Sequence, residues 1–393
     1  MSKIAIIGGG ASGLLSACKI NCAIVILESN DRVGKKILQT GNGRCNLTNT
    51  IINPTDYFSD DSDAVAKILG NAPYDDIKTL FDDLGLLTRC EDGKIYPLSN
   101  QASSVLDLLR YSADDNGVIT KCNFSVESIK KTKSGFVIKS ANGDSETADK
   151  VILACGGMAS SKISGYNLAK SLGHTIITPS PALVPVKLKS DIPKSLKGIR
   201  AKAKVTLANK SKVIASESGE IQFTDYGISG IAIMQLSRYY SKGCTITIDF
   251  AENYSESEIL ALLQKSVKKN RLLEDLLLGI TVKRIGMKIT KSVVNYSMTE
   301  PCSILNQEEL LQIAKKIKAY EFETEALMGF DSAQVTRGGI PLAEINPYTM
   351  ESKSCKDLYI LGEMLNCDGR CGGYNLSWAW LTAIRVADAI NKG

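Results

Sequence analysis

Histidine is almost missing: the 393-residue chain has one, His174. A Ser-His-Asp or Cys-His mechanism would have to use that residue, and its setting, Leu172-Gly173-His174-Thr175, reads as the end of a helix with a structural role. Neither C-x2-C nor C-x4-C occurs among the 11 cysteines. That excludes the usual disulfide-reductase pair and the usual zinc spacings, and no metal site is expected. An odd number of scattered thiols in a chain this large points to reduced cysteines rather than a disulfide framework. No apolar run approaches the roughly 18 residues a membrane span needs. The apolar N-terminus runs into Gly8-Gly9-Gly10 instead of a cleavage site, so a cytoplasmic location is expected. The 47 Lys and Arg outnumber the 42 Asp and Glu by only 5. With no dense basic tract interleaved with aromatics, nucleic acid is not an expected partner.

What is present begins at the N-terminus. Lys3 to Ile7 reads as a buried strand, and Gly8, Gly10 and Gly13 form G-x-G-x-x-G. A short helix follows, then a second strand, Val25-Ile26-Leu27, ending in Glu28. The first glycine permits the tight turn, the second lets backbone approach a pyrophosphate, and the third lets helix pack on strand. The helix N-terminus offers unpaired N–H groups to the phosphates. A carboxylate at Glu28 suits the hydroxyls of an unphosphorylated adenosine ribose, so FAD or NAD fits better than NADP. Gly13 and Glu28 are closer than the roughly 20 residues usual for this motif, which predicts a short helix or a tight exit.

The next segment, Asp31 to Asn49, is rich in Gly, Asn, Thr and Arg. It lacks a hydrophobic period, so it is expected to be a ligand-facing loop and not a core element. Helices are predicted over Tyr74–Leu87 and Ser99–Ala113, with a strand near Ile95-Tyr96. From Phe124 onward, Ser134-Gly135 and Asn142-Gly143 separate three short strands. That meander leads into Val151-Ile152-Leu153, a buried strand opening onto Cys155-Gly156-Gly157. A nicotinamide dehydrogenase would continue with alternating βα units, so this order favours flavin.

A proline-rich crossing at Thr178 to Pro185 marks a boundary. Strands at Ala203–Ala208, Lys212–Glu217, Glu220–Thr224 and Thr245–Phe250 suggest a small sheet or barrel. Ser255 with Glu258 and Asn306 with Glu309 resemble capping boxes, and a helical insertion is expected from about 255 to 327. Strand signals return at Ala333–Thr336 and at Leu358–Leu361. The latter ends in Gly362-Glu363, suited to gripping a ribityl hydroxyl. A terminal helix is predicted over Ser377–Ile390, behind the glycines of Asp368 to Leu376.

Four stretches carry a family resemblance: Gly34 to Leu38, Thr40-Gly41-Asn42-Gly43-Arg44-Cys45-Asn46-Leu47-Thr48-Asn49, Gln222 to Gly230, and Gly372 to Ala379. Together they resemble the BaiN/YhiN-like flavoproteins along the whole chain. The resemblance implies an α/β fold: an FAD-binding Rossmann-like domain of the glutathione-reductase type in two halves (1–180 and 331–393), with an inserted small β-barrel (181–250) and a helical subdomain (251–330). It implies pyrophosphate contacts from Gly8, Gly10, Ala11, Ser12 and Gly13, and ribose contacts from Glu28 and Ser29. Adenine would meet the backbone of Val126. The remaining cofactor contacts it implies are Lys36, Thr40, Gly43, Arg44, Cys45, Asn46, Thr48, Cys155, Gly156, Gly157, Gly362, Glu363, Asp368, Gly373, Tyr374, Asn375 and Leu376.

The chemistry would belong to the flavin. With no second G-x-G-x-x-G, the electron partner is expected to be dioxygen or a transiently docked NAD(P)H. The favoured expectation is oxidation of a small amine resembling aminoacetone; the alternative is NAD(P)H-dependent ene reduction of the dehydro-bile-acid type. Outside small-molecule turnover, an RNA-modifying flavoprotein and a redox sensor using Cys367 and Cys371 remain as readings. Asp225, Tyr226, Arg337 and Tyr374 are polar groups in glycine-rich segments; Asp225, Arg337 and Tyr374 are the catalytic candidates. Asp225 and Ile231 depart from the family pattern, as do Cys367 and Cys371, and those departures bear on the substrate.

Overall fold

The computed structural model describes residues 2–159, 165–210, 212–269 and 271–392. Two compact units emerge, one of Met1–Pro181 with Gln334–Gly393 and one of Ala182–Ala333.

In the first unit a five-stranded sheet runs in the order Leu358–Ile360, Lys150–Leu153, Lys3–Ile7, Ala23–Leu27, Ile119–Lys121. All its pairings are parallel. Strands buried on both faces read as unbroken apolar runs, as Ile4 to Ile7 and Val151 to Leu153 do. The C-terminal part of the chain therefore completes the sheet that the N-terminal part starts. Lys150 and Asp357 stand at the beginnings of neighbouring strands and are ion-paired at 2.8 Å. The short first helix is confirmed: it spans Ala11–Lys19, and three residues return the chain to Ala23. The meander appears as Val126–Thr132, Gly135–Ser140 and Ser145–Ala148.

One expectation fails in this unit. The Asp31 to Asn49 segment does contribute to the core, because Ile37, Cys45 and Leu47 are all buried in the main apolar cluster. Their spacing follows no helix or strand period because the backbone there repeatedly enters the left-handed region, at Gly41, Asn42, Gly43 and Cys45. His174 lies just past the helix Tyr166–Ser171, as expected. It is buried, with Nδ1 2.8 Å from Glu344 Oε2 and Nε2 2.8 Å from Ser352 Oγ.

The second unit is a closed six-stranded barrel ordered Val186–Leu188, Gly227–Ser229, Lys212–Phe223, Arg200–Asn209, Cys244–Asp249, Tyr320–Leu327. Two of the predicted strands are one: Lys212–Phe223 runs through Ser218-Gly219, which looked like a break. Gly219 stays in register opposite Ala203. The helix Ile231–Ser237 lies close over it, so that a Cβ on Gly219 would sit 3.7 Å from that of Ala232. Tyr320–Leu327, expected to end the helical insertion, is instead the strand that pairs with Cys244–Asp249. Its alternation of buried Tyr320, Phe322 and Thr324 with exposed Glu321, Glu323 and Glu325 has the strand period of two. The helices Glu256–Lys268 and Gln307–Lys318 both open with complete capping boxes, at Ser255/Glu258 and Asn306/Glu309. Barrel and helices share one apolar core.

Candidate cofactor site

The glycine turn is shaped around an external group. A Cβ on Gly13 would stand 2.0 Å from the Gly8 carbonyl, and one on Gly8 would stand 2.6 Å from the Ala154 carbonyl. Those two glycines permit the chain's own close packing. Gly10 differs, because a Cβ there would meet nothing within 4 Å. Gly10 caps the first helix with no side-chain hydrogen bond, leaving the N–H groups of Ala11, Ser12 and Gly13 without a partner inside the helix. An anion fits there, held by N–H groups and the helix dipole. Gly156, at the end of the neighbouring strand, is equally open.

Glu28 is buried at the end of its strand. Its Oε2 accepts the Gly9 N–H at 2.8 Å, which ties the carboxylate to the glycine turn. Oε1 accepts from the backbone and side chain of Asn30 and from Ser29 Oγ, at 2.8, 2.6 and 3.2 Å. Oε2 keeps a lone pair for a ribose hydroxyl. Asn30 was missed by sequence reasoning; a polar residue two after the acid was its only signal. Val126 opens the meander beside a register shift.

A second node joins three distant parts of the chain. Glu363 Oε2 pairs with Lys36 Nζ at 2.7 Å, while Oε1 accepts the Thr336 N–H at 2.7 Å. Thr336, fully buried, accepts the N–H groups of Met158 and Ala159 through Oγ1 at 2.8 and 3.0 Å. Gly157 is required here, since a Cβ would come within 2.6 Å of both side chains. Gly362 donates to Thr382 Oγ1 and accepts from Trp378 Nε1, each at 3.1 Å.

The third part is a junction of two loops. Thr48 Oγ1 and Ser377 Oγ are 2.7 Å apart, and Asn49 Nδ2 donates to the Gly372 carbonyl at 3.1 Å. The Asn46 amide accepts the Gly373 N–H at 3.1 Å and donates to the Thr48 carbonyl at 3.0 Å. Asn375 grips the opposite side, accepting the Gly369 N–H and donating to its carbonyl at 2.8 and 2.9 Å. Tyr57, another residue the sequence did not announce, donates its hydroxyl to the Tyr374 carbonyl at 3.0 Å. The side chains of Asn46, Thr48 and Asn375 thus hold protein to protein, and what they leave facing outward is glycine-rich backbone. Thr40 caps its own turn by donating to the Ile37 carbonyl. Gly43 is open, and Arg44 lies over the Tyr96 ring at 4.1 Å with Glu91 at 3.0 Å. Leu376 packs on the core and Asp368 is buried.

Burial pushes the Cys45 and Cys155 thiols up to about 12, so neither is a nucleophile near neutrality. Burial also raises the phenol of Tyr374, which opens the terminal helix Tyr374–Lys392. Arg337 is exposed on the strand Val335–Gly339. Asp225 belongs to the second unit, where its hydrogen bond to Lys197 at 2.8 Å holds the carboxyl below its ordinary range.

A cradle of this construction has counterparts. The HI0933-like protein Rossmann domain matches residues 2–389. The chain belongs to the HI0933-like family. The 3-dehydro-bile acid delta(4,6)-reductase of Clostridium scindens is 38% identical, over 97% of this chain and 97% of that one. The ribosomal RNA dihydrouridine synthase of Haemophilus influenzae is 27% identical, over 100% and 99%. Among solved structures, the 3-ketosteroid-delta4-(5alpha)-dehydrogenase of Rhodococcus jostii superposes with a TM-score of 0.53 at 11% identity, over 100% of this chain and 97% of that one. This member of the HI0933-like family is an FAD-dependent oxidoreductase with the two-part Rossmann-like fold. Among its described residues no helix is long and apolar enough to cross a membrane.

Proposed function

We propose that the protein is an FAD-dependent reductase of a carbon–carbon double bond conjugated to a carbonyl, with NAD(P)H as a transiently docked hydride donor. One observation carries this reading. Two full-length relatives with unlike substrates are named for the same bond change, the saturation of an alkene next to a carbonyl, in a dehydro-steroid and in uridine. Bound FAD supplies the hydride chemistry. The chain supplies binding and charge: the helix behind Gly10 holds the pyrophosphate, Glu28 the ribose, and the Glu363–Lys36 pair the ribityl chain. The terminal helix presents its N-terminus, which favours negative charge on whatever lies before it. Tyr374, kept protonated by burial, is the proton donor of this reading, and Arg337 offsets negative charge.

Net charge alone argues against nucleic acid, but the placement of the surplus supports a uracil in RNA as the substrate ring. Residues 182–333 contain 22 Lys and Arg against 17 Asp and Glu, whereas the rest of the chain balances at 25 of each. The whole positive surplus therefore sits in the inserted unit, where it can meet phosphates. A steroid-like enone is the small-molecule form of the same reading.

Anaerobic reduction of the purified yellow protein tests both. Bleaching by NADH or NADPH, followed by recovery of colour on adding a 3-keto-Δ4 steroid or uridine-containing ribosomal RNA, is the expected result. Bleaching by aminoacetone with recovery only in air would replace this reading by an amine oxidase using dioxygen.

A further inference from the structure

We infer that the basic faces of the helices Glu256–Lys268 and Lys283–Lys291 form the RNA-docking surface of the inserted unit. The inference rests on the RNA reading above and places it on particular residues.

Residues 256–300 hold eight cations and five carboxylates. Glu258 is tied into the capping box with Ser255, and Glu274 and Asp275 are both taken by Lys283, at 2.8 and 2.9 Å. Among the described residues, Lys265, Lys268, Lys269, Arg271, Lys288 and Lys291 have no carboxylate within ion-pair distance. In the barrel part of the same unit Lys189, Lys197, Arg200 and Lys204 are paired, with Glu323, Asp225, Glu220 and Glu252, while Lys187, Lys194, Lys202, Lys210, Lys212 and Lys242 have no carboxylate within ion-pair distance among the described residues. Unpaired cations thus occur on barrel and helices alike, and what distinguishes the helices is that theirs recur at helical spacing.

Their arrangement is directional. Lys265, Lys268 and Lys269 follow the i, i+3, i+4 spacing of one helix face, all exposed and turned away from the buried Ile259 and Leu263. Arg271 adds an exposed cation two residues after the C-cap Lys269. On the second helix, Arg284, Lys288 and Lys291 share a face by the same spacing, beside the buried Ile285 and Ile289. Helix dipoles account for lysines in a last turn. They do not account for Arg271 beyond the helix, and they oppose Lys283 and Arg284 in a first turn. Rows of cations with exposed apolar neighbours, such as Leu262, Leu272 and Val282, suit a phosphate backbone with unstacked bases beside it.

The test uses the full-length holoprotein and deproteinised ribosomal RNA, with affinity measured by fluorescence anisotropy across a salt series. In the variant Lys265→Ala/Lys268→Ala/Lys269→Ala, alanine preserves helix propensity, and circular dichroism checks the fold. RNA affinity is expected to fall at least tenfold and the log–log salt slope by about 2 to 3, since each lost phosphate contact removes about 0.7–0.9. Flavin reduction by NAD(P)H should be unchanged, as it should for the control Lys189→Ala, which should also bind RNA normally. A triple variant that binds RNA with wild-type affinity and slope overturns the assigned surface and leaves the RNA reading standing. A wild-type protein that fails to bind RNA, or binds it without salt dependence, overturns both.

Discussion

The hydroxyls of Thr48 and Ser377, 329 positions apart in sequence, meet at 2.7 Å inside the first unit. Ser377 Oγ also donates to the Gly373 carbonyl at 3.0 Å, so Thr48 is the donor to Ser377. This bond joins the loop after the first βαβ unit to the glycines before the terminal helix. Thr48→Val preserves shape and removes one buried donor while Ser377 keeps its own acceptor. We expect a loss of about 1 kcal/mol, read as a lower denaturant midpoint, together with weaker FAD binding by flavin fluorescence. An unchanged FAD affinity would separate this junction from the cofactor.

Gly10 and Gly13 belong to one motif and should respond differently to the same substitution. Gly10 has φ −83°, open to any residue, and faces empty space, so Gly10→Ala should give a folded apoprotein of nearly wild-type melting temperature. Its methyl group would enter the space that the proposed FAD reading assigns to the pyrophosphate, and FAD affinity should drop at least tenfold by titration calorimetry. Gly13→Ala places a methyl 2.0 Å from backbone and should fail at folding itself.

The contrast shows what the sequence discloses. Residue type and spacing suffice for the glycine turn, Glu28 and the capping boxes, because each is built from neighbours within one βαβ unit or one helical turn. The junction of Thr48 with Ser377 and the node of Glu363, Lys36 and Thr336 depend on the chain closing its sheet with the strand Leu358–Ile360, which no local pattern encodes. Buried Cys45 and Leu47 hid for another reason: left-handed turns destroy the periodicity by which core positions are recognised. Gly219 misled because a glycine in a strand commonly signals a break or a bulge, whereas this one stays in register opposite Ala203 and faces the helix Ile231–Ser237 at ordinary contact distance.

Thiol chemistry gives a third prediction. All 11 cysteines are free, but burial disarms Cys45 and Cys155, whose pKa values lie near 12. Cys90 is exposed. A disulfide reagent at pH 8 should therefore label Cys90 rapidly, the half-buried Cys155 far more slowly and the buried Cys45 not at all, and reach all 11 only in denaturant. Mass mapping of the labelled peptides checks this. Rapid labelling of buried Cys367 would revive a redox-sensing role.

The last prediction concerns the clamp between the two sequence halves of the sheet. Burial raises the pKa of Asp357, but the Lys150 hydrogen bond and the charges of Lys150 and Lys131 outweigh it, so the carboxyl ends below its ordinary range. A pKa lower in the folded than in the unfolded chain stabilises above the unfolded value, about 3.9. That contribution fades as the pH falls from there through the folded value. Asp357 has φ +67°, a conformation that asparagine tolerates, so Asp357→Asn removes the charge without adding backbone strain. At pH 7 the variant should be less stable by about 1–2 kcal/mol, the range for a charged hydrogen bond reduced by partial exposure. Urea melts at pH 7, 5, 4 and 3 should show that deficit constant down to about pH 5 and shrinking below pH 4. A deficit that persists undiminished at pH 3 would mean that asparagine disturbs packing instead, and that the Lys150–Asp357 charge pair contributes nothing to joining the halves.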